Sequence, residues 1–246
     1  MFFNERKMSK IMKIKDRKIL IVDGIDSASF LHQILTNNIK AMSADDLQYN
    51  LILTPQGKLL HDLFVKKVSD ERFMLDCNSC AIDDIIEILN KYKLGAKVDF
   101  RVDENVVVYW SDGSIDKGYK DPRHDAFGFR SYSSKNLADG FKDFNDIHYE
   151  LLLPQLYVDF DSGKYFPFDV GFDKFNSISF DKGCYIGQEV ITRTHFRGVI
   201  RKKVYAIEGD FSSGDEIYDG DRKIGVILRR YGVGKALALM SFDPEK

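Results

Sequence analysis

No apolar run in this sequence approaches the ~20 residues that a membrane-spanning helix needs, so membrane-embedded function classes are not expected. Cysteine is scarce as well. Three in 246 residues cannot build a disulfide framework, and a reducing compartment, the cytoplasm, is expected. Charge of one sign is also missing: 36 Lys+Arg stand against 38 Asp+Glu, a formal net charge of -2. No global field therefore draws the chain to nucleic acid or an anionic membrane, and any basic surface must be local. No internal repeat, low-complexity tract, P-loop or dinucleotide fingerprint is present, which argues against nucleotide-driven chemistry. The segment 1–18 is rich in Lys and Arg but lacks the apolar core of a secretory signal, and Glu5 and Asp16 interrupt it. Neither a signal peptide nor a mitochondrial presequence is expected there.

What the sequence does contain is core material, since 44% of residues are hydrophobic, enough for one large domain or two to three small ones. Residues 18–22 read as a short strand closed by Asp23-Gly24. Asp26 or Ser27 then caps a helix carrying Phe30, Leu31, Ile34 and Leu35 at helical spacing, with His32 as a surface or supporting histidine. Segments 48–53 and 58–68 read as strands joined by Thr54-Pro55-Gln56-Gly57, with Pro and Gly at the second and fourth positions of a type I turn. A strand at 72–76, a helix at 81–93, one strand-rich run at 98–110, a loop at 111–124 and a helix entered or broken at Pro154 within 148–160 follow. After Gly198, short strands separated by Gly and Asp predict a small β-barrel or sandwich.

Chemically capable side chains crowd into 181–197. Gly183 and Gly187 flank Cys184, Tyr185 and Ile186 and permit a tight turn. Residues 188–194 read as a short helix, so Cys184 lies ahead of a helix N-terminus, where the dipole favours a thiolate. Lys182, Arg193 and Arg197 add positive charge, and Glu189 opposes it. On these residues alone Cys184 is either a reactive thiol or an ordinary buried cysteine. Cys77-Asn78-Ser79-Cys80 offers a dithiol redox pair, two metal ligands without an identifiable fourth, or packing beside an Asn78 or Ser79 cap; no metal site is expected. Arg201-Lys202-Lys203, adjoining Arg193 and Arg197, forms a local basic cluster suited to a partner, an anionic ligand or RNA, or else a solvated strand edge.

The run Lys182-Gly183-Cys184-Tyr185-Ile186-Gly187-Gln188-Glu189 resembles the Lys-Gly-Cys-Tyr-x-Gly-Gln-Glu signature of the YgfZ-type folate-binding proteins, relatives of the glycine-cleavage aminomethyltransferase that support iron–sulfur cluster assembly. The Thr54 to Asp62 hairpin and the Asp121-Pro122-Arg123…Gly128-x-Arg130 segment are similar to further parts of that group. The resemblance implies an α+β fold of aminomethyltransferase type with three subdomains around a central folate cavity. Two interleaved subdomains would occupy 1–198, and a small β-barrel 199–246. It implies tetrahydrofolate as cofactor, contacted by Tyr185, Gln188, Glu189, Asp62, Arg123 and Arg130. The two arginines would pair with the glutamate tail of folate or, alternatively, make structural ion pairs. Cys184 would be the working thiol with Lys182 favouring its thiolate, and the partners would be iron–sulfur client or assembly proteins, with no nucleic acid and no membrane. One cysteine does not hold a cluster, which is usually bound by four, so assistance rather than scaffold duty is expected. His61 stands where the aminomethyltransferases have the first acid of a pair. A folate-dependent aminomethyltransferase and a dithiol oxidoreductase using Cys77 and Cys80 are the alternatives.

Overall fold

The computed structural model describes residues 10–135, 137 and 144–241. The chain begins with β1 (Ile11–Lys13), β2 (Arg17–Asp23) and α1 (Ser27–Ile34), runs through β3 (Leu47–Leu53), β4 (Leu59–Ser69) and β5 (Arg72–Asn78), and reaches α2 (Ile82–Lys93) before β6 (Asp99–Asp103). Strands β2 to β6 form a five-stranded antiparallel sheet in the order β3-β4-β5-β2-β6. Side chains alternate across a strand, and here both faces are apolar. Leu20, Val22, Leu63, Val65, Phe73 and Leu75 point to α1 and α2, whereas Ile19, Ile21, Tyr49, Leu51, Phe64 and Met74 point the other way, into the main core. The β3–β4 turn has the expected bond from the Gly57 N–H to the Thr54 carbonyl at 2.8 Å, with Gly57 at φ +81°.

The expected single run at 98–110 divides in two. Asn105 N–H donates to Asp103 Oδ1 at 3.0 Å, a local turn that competes with strand continuation. The second half, β7 (Val107–Ser111), enters another sheet with β8 (Tyr119–Lys120) and β9 (Phe129–Ser133), in the order β1-β7-β9-β8. Because β1 pairs with β7, the first strand of the chain lies in the second sheet while β2 lies in the first. The helix expected across 148–160 is instead the short α3 (Phe144–Glu150). Leu153 N–H turns back to the His148 carbonyl, Leu152 adopts φ +51°, and Pro154 bars resumption. The following irregular chain contributes Phe160, Phe168, Phe172 and Phe175 to the main core, and leads to α4 (Gln188–Arg197).

The C-terminal segment folds as β10 (Lys203–Glu208), β11 (Glu216–Asp219), β12 (Arg222–Arg230) and β13 (Lys235–Met240), ordered β10-β13-β12-β11. This corrects the expected barrel. The sheet is open among the described residues, with β10 and β11 as its edges, and four short strands are too few to close on themselves. Along β13, Leu237 and Leu239 join the main core, while Ala236, Ala238 and Met240 line a small outer cluster with Ile224 and Ile227. A polar latch adds to this docking. Tyr231 Oη lies 2.9 Å from both Asp159 carboxylate oxygens, and the Gln155 N–H donates to Oδ2 at 2.7 Å.

Burial pushes the Asp159 carboxyl up to about 6, against the bonds from Gln155 and Tyr231. A folded-state pKa above the unfolded one means the stabilisation is complete below about pH 4 and is lost as pH rises through 6. Asp159→Asn, which never ionises, should therefore gain about 2 kcal/mol on wild type between pH 4.5 and 7.5 in urea unfolding. A pH-independent difference would mean that the carboxyl is ionised across the whole range.

Candidate functional site

The signature turn is built by three contacts made with distant parts of the chain. Lys182, 7% exposed, points inward. Its ammonium donates to the carbonyls of His32 (2.6 Å), Leu35 (2.5 Å) and Asn37 (3.1 Å), at and just beyond the carboxyl end of α1. Those are among the carbonyls a helix end leaves without partners, and a cation there also complements the dipole. Burial draws the Lys182 pKa down to about 8, which keeps it charged at neutral pH. Second, Gly187 sits at φ +82° against the β3–β4 turn, where an added Cβ would meet the Thr54 carbonyl oxygen at 2.6 Å. Only glycine suits both the backbone angle and the approach. Third, the His195 ring of α4 stacks on Phe180 at 3.7 Å between centroids. Tyr185 is buried in the main core with the Lys182 ammonium 4.8 Å from its ring centre, while Cys184 between them is exposed.

An ammonium has three N–H donors, and the three carbonyls at the α1 end use all of them, so Lys182 anchors the turn to α1 whatever its charge does for the thiol. Gln188 and Glu189 line an open groove of about 590 Å³ with Thr192, Arg193, Phe196 and Arg197.

The other expected site residues lie elsewhere. Asp62, Arg123 and Arg130 line an interior chamber together with Arg17, Tyr49, Phe64 and His148. Asp76 binds Arg17 Nε at 2.6 Å and Arg130 Nη1 at 2.7 Å, and accepts from Tyr132 Oη at 3.1 Å. Asp121 takes Arg123 in a bidentate pair, both bonds at 2.9 Å. Burial opposes ionisation of Asp121, but the Arg123 guanidinium, with Arg130 behind it, wins and holds the carboxyl below the usual range. Tyr49 Oη donates to Asp62 at 2.8 Å. The guanidinium carbons of Arg130, Arg123 and Arg17 stand 3.7, 5.0 and 5.5 Å from the centre of the Phe64 ring. Burial, with Arg123 adding to it, pushes His148 down to about 3. The neutral ring is 2.8 Å from the Leu153 carbonyl through Nδ1, and its Nε2 has no hydrogen-bond partner among the described residues.

The chamber does not fit tetrahydrofolate. It encloses about 40 Å³, room for a few waters, whereas sites for organic ligands begin near roughly 300 Å³. Arg123 and Arg130, expected to reach a carboxylate tail, are engaged by Asp121 and Asp76 in the ion-pair alternative. His61 and Asp62 do not share a site either. As chain neighbours on β4 they face opposite sides of the sheet, His61 lying 2.9 Å from Asp84 on α2 and bonding to the Tyr157 hydroxyl. The dithiol alternative is corrected too. Cys77 is fully buried on the helix-facing side, where burial pushes its thiol up, and Asn78 Oδ1 accepts from the Cys80 N–H at 3.0 Å as a simple cap. Sequence reasoning missed Arg17, Asp76, Tyr49 and Phe64. The available signal was Asp76, an acid inside the apolar run 73–77 of a strand.

The architecture is that of an aminomethyltransferase. It matches the glycine cleavage system aminomethyltransferase T of Bartonella henselae with a TM-score of 0.75, at 16% identity, over 95% of this chain and 78% of that one. Residues 6–108 match the family model of the GCVT N-terminal domain. Among curated proteins the chain is similar to the iron-sulfur cluster assembly factor IBA57 homolog, mitochondrial, of Mycosarcoma maydis (28% identity, 79% of this chain and 56% of that protein). It is similar also to the Dictyostelium discoideum homolog (28%, 83% and 64%) and to the mouse protein (25%, 80% and 65%). The chain thus spans between about half and two thirds of the length of these relatives.

Lys182→Met keeps the length of the side chain but leaves three carbonyls unpaired, and should cost about 2–4 kcal/mol in urea unfolding; a loss under about 0.5 kcal/mol would show that the ammonium does not hold the turn. Tetrahydrofolate should leave the thermal midpoint of the full chain unchanged, because only binding to the folded state raises it. A saturable rise would mean that the chamber opens to the ligand.

Proposed function

We propose that this chain is an accessory factor in the assembly, maintenance or repair of iron–sulfur enzymes and that Cys184 is its working thiol. The single observation that carries the reading is the exposure of Cys184 on a turn held at three points: Lys182 by α1, Tyr185 by the core and Gly187 by the β3–β4 turn. A thiol needed only for packing would be turned inward, as Cys77 is. The names of the relatives described above support the same process. Tetrahydrofolate is left out of the reading because the chamber is too small and its guanidiniums are paired. The partners are iron–sulfur assembly or client proteins, and the compartment is a reducing one, the cytoplasm in our reading, which fits three free thiols.

Gene deletion followed by complementation tests the proposal. Activities of several iron–sulfur enzymes should fall on deletion and return with wild type and with Cys77→Ala/Cys80→Ser, but not with Cys184→Ala produced at equal level. Glycine-cleavage flux should stay constant throughout. Intact iron–sulfur activities beside lost glycine cleavage would make the chain an aminomethyltransferase instead, and full rescue by Cys184→Ala would remove the thiol from the mechanism.

A further inference from the structure

The outer face of α4 and the chain that follows it combine two features that a folded surface normally avoids. Phe196 is 68% exposed, Val199 80% and Ile200 39%. Around them, Arg193, Arg197, Arg201, Lys202 and Lys203 face one acid of the helix, Glu189. None of these five cations makes an ion pair among the described residues; single lysines elsewhere, such as Lys40 and Lys91, share that property, but here five stand together within eleven residues, whereas Lys18, Lys67, Lys93, Lys120, Lys164 and Lys223 are paired. The helix dipole accounts for Arg197 in the last turn but not for 201–203, which lie beyond the helix. Nor is Phe196 outward by default. His195, though exposed, is the residue that stacks on Phe180, and the next residue of a helix lies about 100° further round, so Phe196 borders the groove with Arg193 and Arg197.

We infer that this face, from Gln188 to Lys203, docks a protein partner whose surface presents an apolar centre rimmed by Asp and Glu. Exposed aromatic and aliphatic anchors ringed by charge have the make-up of a binding patch, and unpaired cations on a chain that is otherwise charge-balanced specify the sign of the partner. RNA fits less well. A single-strand site uses several stacking aromatics in a row, whereas this patch offers only the adjacent Phe196 and His195 rings beside the aliphatic Val199 and Ile200. The inference deepens the iron–sulfur reading, because the groove begins four residues after Cys184. It rests on that reading only for the partner's identity, an iron–sulfur assembly or client protein.

The test uses the full chain in its own host, with the photo-crosslinking residue p-benzoylphenylalanine at position 196, and at position 94, where Leu94 is 92% exposed, as control. The expected result is a crosslink at 196, absent at 94, to a protein whose crosslinked peptide carries more Asp and Glu than Lys and Arg. Its yield should fall about tenfold in Arg193→Glu/Arg197→Glu, the size of a 1.4 kcal/mol loss, and persist in Arg193→Lys/Arg197→Lys, which keeps the charge. A crosslink to RNA, a protein crosslink that ignores charge reversal, or a yield at 196 no higher than at 94 would overturn the docking surface. The two readings can fail separately. Loss of the crosslink in cells whose iron–sulfur enzymes still depend on the chain refutes the surface alone. An acidic crosslinked partner in cells whose iron–sulfur enzymes ignore the deletion refutes the iron–sulfur reading alone.

Discussion

Asp76 ties the five-stranded sheet to the β1-β7-β9-β8 sheet. It lies on β5 of the five-stranded sheet, receives Arg17 from β2 of the same sheet, and receives Arg130 from β9 of the second sheet. Removing charges from water costs several kcal/mol per ion, and a buried pair recovers that only with good geometry and further hydrogen bonds. Here the geometry is good, since the Tyr132 hydroxyl and the Asp121–Arg123 pair complete the ladder. Its value lies less in net stability than in discrimination, because a slipped register would leave a full charge unpaired in an apolar layer. Phe64 reinforces this by offering a ring to all three guanidiniums, which are more weakly hydrated than ammonium groups and stack readily.

The same ladder explains why the interior chamber is small and its guanidiniums are engaged. Three arginines meet three acids, Asp62, Asp76 and Asp121, so no surplus charge is left to recruit an anion. Phe144, His148 and Leu156 close much of the remaining space. A fold whose architecture matches an aminomethyltransferase thus uses its centre as a rigid core and holds its exposed thiol on a peripheral turn.

The sequence was informative where short-range chemistry decides structure, and silent where partners are far apart. The turn at 54–57 and the helices at 27–34 and 82–93 follow from Pro, Gly and apolar spacing and appear close to where those signals lie, but the expected cap does not form: Asp26 makes no side-chain bond to the helix and accepts instead from the Lys97 N–H at 2.8 Å. The α4 helix is likewise visible in 188–194. The division of 98–110 between two sheets was not visible, because a strand pattern does not name its neighbour, and only the Asp103–Asn105 turn marks the break. The C-terminal strands were legible one by one, but closure into a barrel depends on whether edges meet, which local pattern does not encode. Lys182 is the sharpest case. Read along the chain it is two residues from Cys184 and looks like support for a thiolate; in space its donors belong to carbonyls about 150 residues earlier in sequence.

That relocation of Lys182 changes what the signature does physically. Because the ammonium is bound to the end of α1, and Gly187 is pressed on the β3–β4 turn, the spacing of Lys182, Cys184, Tyr185 and Gly187 sets a position: Lys182, Tyr185 and Gly187 are each anchored to a different part of the fold, and the thiol is what the anchors leave outside. Rigid placement matters most for a group that must meet another protein, since ordering a loose loop at the moment of contact costs conformational entropy that a fixed turn has already given up. The basic and apolar face starting at Gln188 lies next along the chain, on the helix that the Phe180–His195 stack fixes to the same turn. Anchors inside, an exposed thiol and a cationic face beside it are the features on which the proposed docking of an acidic partner next to Cys184 rests.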